Sequence, residues 1–310
     1  MSSSNELYME SIKQEIELLQ GCKMTQLHKG YSSDKKYLVQ SGDDERFLLR
    51  AFNLKEYDQK QREFSILHQM ERYGVKCSRP IDIGRLSTAG YMLISYIEGN
   101  DAADELPRYA ESDQFKIGFD AGIELRKMHQ YTAPKHVSSW YERKVIKHRR
   151  YMDQYMNCGV RVRNDDKIMA FIEQNITYMK QRPNVFQHDD FHVGNMIVMN
   201  KQLSGIIDFN RYDWGDPIHE FLKVGIFSRE ISIPFSIGQI RGYFQHKKQQ
   251  PGELFWRLYS LYLAMCVFSS VVWTLKAAPE TMDHMLDNIY TSLEDHDYFN
   301  QIKPKWYLEG

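Results

Sequence analysis

The sequence predicts an α+β fold in two parts, a β-rich N-terminal region and a larger helical C-terminal region. Three observations carry that expectation. The first third of the chain alternates short β-type runs with one helical stretch. From about residue 111 the apolar spacing becomes helical, with helices expected over 112–131, 138–157, 165–181, 217–230, 253–277 and 280–295. Only the piece 184–209 interrupts those helices with β-type runs. The division expected is 1–97 for the N-terminal part and 98–310 for the C-terminal part.

Taken in order, "KYLVQ" (36–40) and "RFLLRAF" (46–52) are strand-like runs joined by Ser41-Gly42-Asp43-Asp44, a turn-rich hairpin signal. Residues 55–73 place Phe64, Leu67 and Met70 on one helical stripe. "RPIDIGRL" and "GYMLISYI" read as two more strands, Gly99 closes the block, and "EGNDAADELPRY" reads as a linker. In the interrupting piece, "NVFQH" leads into a polar loop, and "NMIVM" and "SGIIDF" follow with Asn200-Lys201-Gln202 as their turn. "GDPIHEF" is a helix start, with Asp216 as the cap and Pro217 at the first helical position. Leu258–Leu275 is 18 residues without a charge. Four hydroxyl residues dilute it, Arg257 and Lys276 flank it, and no second such stretch exists, so it reads as a buried helix of a large helical part.

Composition excludes some classes. The 310 residues are 42% hydrophobic and 26% charged, ordinary for a globular chain with a sizeable core. A net charge of −1 supplies no global field toward nucleic acid or an anionic membrane. Cys22, Cys77, Cys158 and Cys266 form no C-x-x-C pair, which fits reduced thiols in a cytoplasmic protein. The polar, acidic start lacks the basic and apolar regions of a signal peptide.

The chemistry concentrates in "QHDDFHVGNMI" (187–197). Asp190 and Asn195 stand on the loop before one strand of the expected ribbon, and Asp208 ends the next. A hairpin would return Asp208 toward the other two. Two carboxylates and an amide are hard oxygen donors, which suit Mg²⁺ rather than zinc. Mg²⁺ is ordinarily held by one or two carboxylates together with substrate phosphates, so the set calls for a nucleotide.

"HDDFHVGN", then "IIDF" and "GDP", resembles the catalytic segments of the aminoglycoside phosphotransferase and choline kinase group, which share the protein-kinase fold. The pattern H-x-D-x-x-x-x-N falls on His188, Asp190 and Asn195 without gaps, and the strand ending I-D-F on Asp208. The resemblance implies a two-lobed protein-kinase-like fold and transfer of the γ-phosphoryl group of ATP or GTP, with Mg²⁺, to a substrate hydroxyl. It makes Asp190 the catalytic base and Asn195 and Asp208 the metal ligands. Asp189 departs from a position often filled by glycine in that group, and His192 recurs there and is a candidate for touching substrate. In the nucleotide half, Gly30, Ser32 and Ser33 lie where relatives cover the phosphates. Arg50 stands where they usually carry a lysine, Glu63 matches its helix partner, and the base would bond backbone near Ser95 and Ile97. Arginine can fork onto carboxylate or phosphate, so the exchange is chemically workable.

The resemblance further implies a small hydroxyl-bearing acceptor seated by the helical part, with no nucleic acid and no membrane partner and a monomer or homodimer as the assembly. An aminoglycoside or related antibiotic is the leading acceptor, and Asp213, Glu220 and Glu230 are candidates for meeting a polycation. Choline-like amino alcohols, sugars and macrolides stand behind it. Two other classes stay open: a nucleotide-binding pseudokinase, because of Arg50, and a metallohydrolase built on His188, Asp190 and His192.

Overall fold

The computed structural model describes residues 12–28, 34–42, 45–245 and 250–307. It has two compact units, Met1–Glu98 with Gly205–Asn210, and Gly99–Ser204 with Arg211–Gly310. Gly30, Ser32 and Ser33, the expected phosphate-covering residues, lie outside the described residues.

The first unit is built on an antiparallel sheet of five strands: β1 (Lys23–Leu27), β2 (Lys35–Gln40), β3 (Arg46–Phe52), β4 (Pro80–Arg85) and β5 (Gly90–Ser95), in the order β1-β2-β3-β5-β4. Alternation sorts its two faces. Tyr37, Leu49 and Leu93 stand opposite one another and point to one side. There they join Val39, Ala51, Ile12, Ile16 and Leu19 in a buried cluster. Lys36, Arg50 and Met92 form the neighbouring row on the other face. The helix α1 (Tyr57–Arg72) packs on β4 and β5 and buries Ile66, Leu67 and Met70. β1 was not legible in the sequence: "KMTQL" is an edge strand with no fully buried residue, so it carries no core pattern.

The second unit begins with a short strand, β6 (Asn100–Asp101), and a helical turn, α2 (Ala102–Glu105). The stretch expected to be a linker is therefore ordered, because β6 pairs with β8 (Met196–Met199). The long helices are α3 (Glu111–Met128), α4 (Trp140–Met156), α5 (Asp165–Asn175), α6 (Ile233–Phe244), α7 (Glu253–Ala277) and α8 (Met282–Asp295). Three further strands complete it: β7 (Val185–Gln187), β9 (Gln202–Ile206) and β10 (Asp213–Gly215), with β7 paired to β10 and β9 to β8. The end of β9 groups with the first unit, where Ile206 N–H donates to Lys76 O at 2.8 Å.

α7 is long and apolar enough to cross a membrane, but 72% of its most apolar window is buried inside the protein, as a core helix would be. α6 escaped the sequence reading because Pro234, Gly238 and Gly242 look like breakers. In the structure Pro234 occupies the first turn, where no N–H is missed, and Ser232 caps it by accepting Phe235 N–H at 3.0 Å. The two glycines let α6 lie directly against α3. A Cβ at Gly238 would stand 2.2 Å from Phe115 O, and one at Gly242 1.9 Å from Phe119 O. The relation is mutual, since a Cβ at Gly118 or Gly122 would strike Phe235 O or Gln239 O at 2.0 and 2.1 Å. Residues 217–230 are not one α-helix but a 3-10 turn (Pro217–Phe221), a π-helical turn (Val224–Ser228) and a last α turn (Arg229–Ile231). The four cysteines are free thiols.

Candidate active site

β7 ends at Gln187, and the chain turns through residues 188–195 before β8. The turn is sharp at Asp189, whose φ of 63° lies in the left-handed region. Aspartate tolerates that region better than most residues. His188 is fully buried, edge-on to Phe191. Asn195 ties the loop together: its Nδ2 donates to Asp190 O at 2.9 Å and to Asp190 Oδ2 at 3.1 Å. That orientation turns its Oδ1 away from Asp190 as an acceptor. His192 Nδ1 accepts Gly194 N–H at 3.1 Å, which leaves Nε2, 3.5 Å from Asp190 Oδ1, to carry the ring proton.

The segment 217–231 clamps this loop residue by residue. Glu220 Oε1 accepts Asp189 N–H at 2.8 Å. Lys223 Nζ donates to Asp190 Oδ1 at 2.8 Å. The Phe227 ring lies 5.0 Å from the His192 ring, and Ser228 Oγ accepts Val193 N–H at 3.2 Å. Phe227 and Ser228 belong to the π turn. π turns inside helices recur at functional sites.

The electrostatics follow from these contacts. Burial opposes ionisation of Asp190, but His192 and Lys223 outweigh it and hold the carboxyl well below the usual carboxylate range. Burial works against the Lys223 charge, and the Asp190 carboxylate more than restores it, raising the ammonium above its ordinary value. Glu220 is the opposite case. Burial pushes it up to about 8, so at neutral pH it is largely the neutral acid. Lys144 on α4 donates to His219 Nε2 at 2.6 Å, and burial brings that lysine down to about 8.

The other candidate acids of this unit have partners of their own. Asp213 accepts from Arg143 at 3.0 Å, and Glu230 from Asn288 at 2.8 Å with His284 at 3.4 Å. Asp216 accepts Ile218 N–H at 3.0 Å as a cap, and also binds Arg182 and Tyr262. Asp190, His192, Asn195 and Glu220 thus share one constellation, while Asp213 and Glu230 sit in separate pairs.

In the first unit, Arg50 lies in a buried group of four charges. Its Nε donates to Asp34 Oδ2 at 2.8 Å and its Nη1 to Glu63 Oε1, and Lys60 Nζ reaches Asp34 Oδ2 at 2.6 Å. Ser95 ends β5, its N–H donated to Arg79 O at 2.9 Å and its Oγ accepting Arg79 N–H at 2.8 Å. Ile97 is half-buried beside Gly205. Asp208 belongs to this unit, has a φ of 71°, and is among the charges that act on Lys36.

The model of the phosphotransferase enzyme family (APH) matches residues 23–259. The chain belongs to that family. It is a phosphotransferase of the kinase type, acting on hydroxyl groups of small molecules. No curated protein matches the sequence. Solved structures agree in fold. The streptomycin–ATP complex of APH(2")-IIa is 15% identical, with a TM-score of 0.64 over 100% of this chain and 99% of that one. APH(4)-Ia is 13% identical, with a TM-score of 0.65 over 92% and 98%. A GDP complex of the aminoglycoside 2'-phosphotransferase-IIIa is 12% identical, with a TM-score of 0.67 over 96% and 99%.

For a phosphotransferase the donor chemistry is apt. The oriented Asn195 Oδ1 and the Asp208 carboxylate are hard oxygens of the kind Mg²⁺ takes beside phosphates. Among the described residues no three His, Cys, Asp or Glu form a metal-binding group by themselves, so the zinc-hydrolase reading finds no assembled site. Sequence reasoning missed Lys223, Lys144, Asp34 and Lys60. A lysine within a charged helical stretch carries no local mark of burial, and only its partner in space reveals it.

Proposed function

We propose that this phosphotransferase moves the γ-phosphoryl group of ATP or GTP, with Mg²⁺, to a hydroxyl of a small molecule, an aminoglycoside or related antibiotic being the first acceptor class to test. In this reading residues 1–97 serve the nucleotide and 98–310 the chemistry and the acceptor, in a cytoplasmic enzyme. The observation that carries it is the Asp190 constellation: a carboxylate held ionised, fixed on one oxygen by Lys223 and on the other by Asn195.

Asp190 accepts the hydrogen bond of the acceptor hydroxyl and orients its oxygen for attack. His192 and Lys223 keep that carboxyl in the basic form. Glu220 holds Asp189 N–H and so fixes the turn that presents Asp190. Asn195 and Asp208 would hold the metal, which neutralises charge on the phosphates when bound. The Arg50–Glu63 pair joins β3 to α1.

The acceptor assignment is supported by what the solved neighbours are named for, including gentamicin and streptomycin complexes of APH(2")-IIa. The test is a panel of aminoglycosides, macrolides, amino alcohols and sugars, each offered with ATP and with GTP and read by mass for one added phosphoryl group. A product from an amino alcohol or sugar alone would move the acceptor class. No product and no nucleotide hydrolysis would favour the pseudokinase reading, which the engagement of Arg50 by two carboxylates keeps in view.

A further inference from the structure

All three guanidinium nitrogens of Arg50 face carboxylates. Nε and Nη2 lie 2.8 and 2.6 Å from Asp34 Oδ2, and Nη1 donates to Glu63 Oε1. Lys60 adds a second cation to the same Asp34 oxygen at 2.6 Å. Two cations and two carboxylates cancel, and the Arg50 side chain is only 8% exposed. The group therefore offers little net charge to an anion arriving from outside. It seats α1 on the sheet, since Arg50 on β3 is bonded to Glu63 on α1.

Lys36 stands directly opposite Arg50 across the β2–β3 pair, so the two side chains share one face of the sheet. The other face is the one closed by Tyr37, Val39 and Leu49. Lys36 also pairs with Leu27 in the last rung of the β1–β2 pairing. It is half-buried, and Asp208, the carboxylate proposed for the metal, is among the charges acting on it. A lysine is a compact charge on a flexible stem with rotatable donors, suited to phosphate as a point contact.

We propose that Lys36, from the neighbouring strand, supplies the cation that contacts the nucleotide phosphates in this chain, and that Arg50 is a positioning residue that holds α1 to the sheet. The proposal rests on the phosphotransferase reading and says which strand carries its phosphate cation.

The test uses the full chain and the variants Lys36→Met, Lys36→Arg, Lys35→Met and Arg50→Met. Binding of Mg·ATP and Mg·GTP is measured by calorimetry, alongside thermal unfolding without nucleotide and nucleotide turnover. Lys36→Met is expected to raise the nucleotide Kd about 10- to 100-fold, the worth of a charge-assisted contact. Its nucleotide-free unfolding midpoint stays at the wild-type value, and Lys36→Arg recovers part of the affinity. Lys35→Met, one residue along and on the opposite face, leaves the Kd unchanged and so controls for a general loss of charge. Arg50→Met is expected to lower the nucleotide-free midpoint, which Lys36→Met does not. A Lys36→Met protein that binds nucleotide within twofold of wild type overturns the proposal. A wild-type chain that binds neither nucleotide overturns the underlying reading first.

Discussion

Asp190 is basic because of its neighbours rather than its exposure. Burial alone would raise its pKa, yet a lysine and a histidine reverse the sign. Asp190→Asn keeps the shape, leaves one oxygen for the two donors Lys223 and Asn195, and removes the carboxylate. Phosphoryl transfer should fall about 10²–10⁴-fold, while the nucleotide Kd stays within a few-fold. Near-normal turnover in that variant would remove Asp190 from the chemistry. Glu220 offers a second test, by pH. Its folded-state pKa of about 8 lies above the ordinary 4.5, so the folded protein binds the extra proton. The associated stability is complete below pH 4.5 and disappears as pH rises through about 8. Relative to Glu220→Gln, the wild type should lose up to about 1.4 kcal/mol of stability per pH unit in that window. Lys144, lowered to about 8, is present in both proteins and cancels in the comparison. Urea midpoints from pH 5 to 8 check this, and parallel curves for the two proteins would show that Glu220 is charged when folded.

Two elements owe their form to contacts that a helix pattern does not announce. The segment 217–231 would meet the 188–195 loop at other points if it were a regular α-helix, because a π turn advances the chain less per residue. As built, Glu220, Lys223, Phe227 and Ser228 reach Asp189, Asp190, His192 and Val193 in step. The α3–α6 pair rests on four glycines spaced four apart on each helix. A side chain there must push carbonyl groups rather than flexible side-chain ends. Gly122→Leu should therefore separate the helices and cost about 1–3 kcal/mol or more, a drop of several degrees in Tm. The same change at Gly159, where nothing lies within 4 Å but φ is +81°, costs only local backbone strain. A thermal scan in which Gly122→Leu matches wild type would refute the close packing of α3 on α6.

Across the whole molecule, the most apolar helix is the test of what kind of protein this is. Leu258, Tyr259, Leu261, Tyr262 and Ala264 on α7 have no exposed surface, and α4, α5 and α8 pack against that helix. Wild-type protein should purify from the aqueous fraction without detergent. Leu261→Asp places an unpaired carboxylate in the core and should abolish soluble expression. Recovery of wild type only in membranes would contradict the core-helix reading. Gly205–Asn210, distant in sequence, groups with the first unit and takes Asp208 with it.

The fold class, most long helices and strands, and the motif that ties the chain to its family are legible in the residues read in order. These are local properties: a period of 2 or 3.6, a cap beside a proline, a histidine, an aspartate and an asparagine within eight positions. Tertiary structure alone decided which charges meet. Lys223 and Asp190 are 33 residues apart, and Arg50 and Asp34 lie on separate elements, so nothing in their neighbourhoods marks them as partners. It also decided α6, whose glycines read as breakers until α3 supplies the carbonyl groups that need them small. The reason is that burial, pairing and close approach are properties of a site in space, and a side chain acquires them from residues the local sequence does not contain.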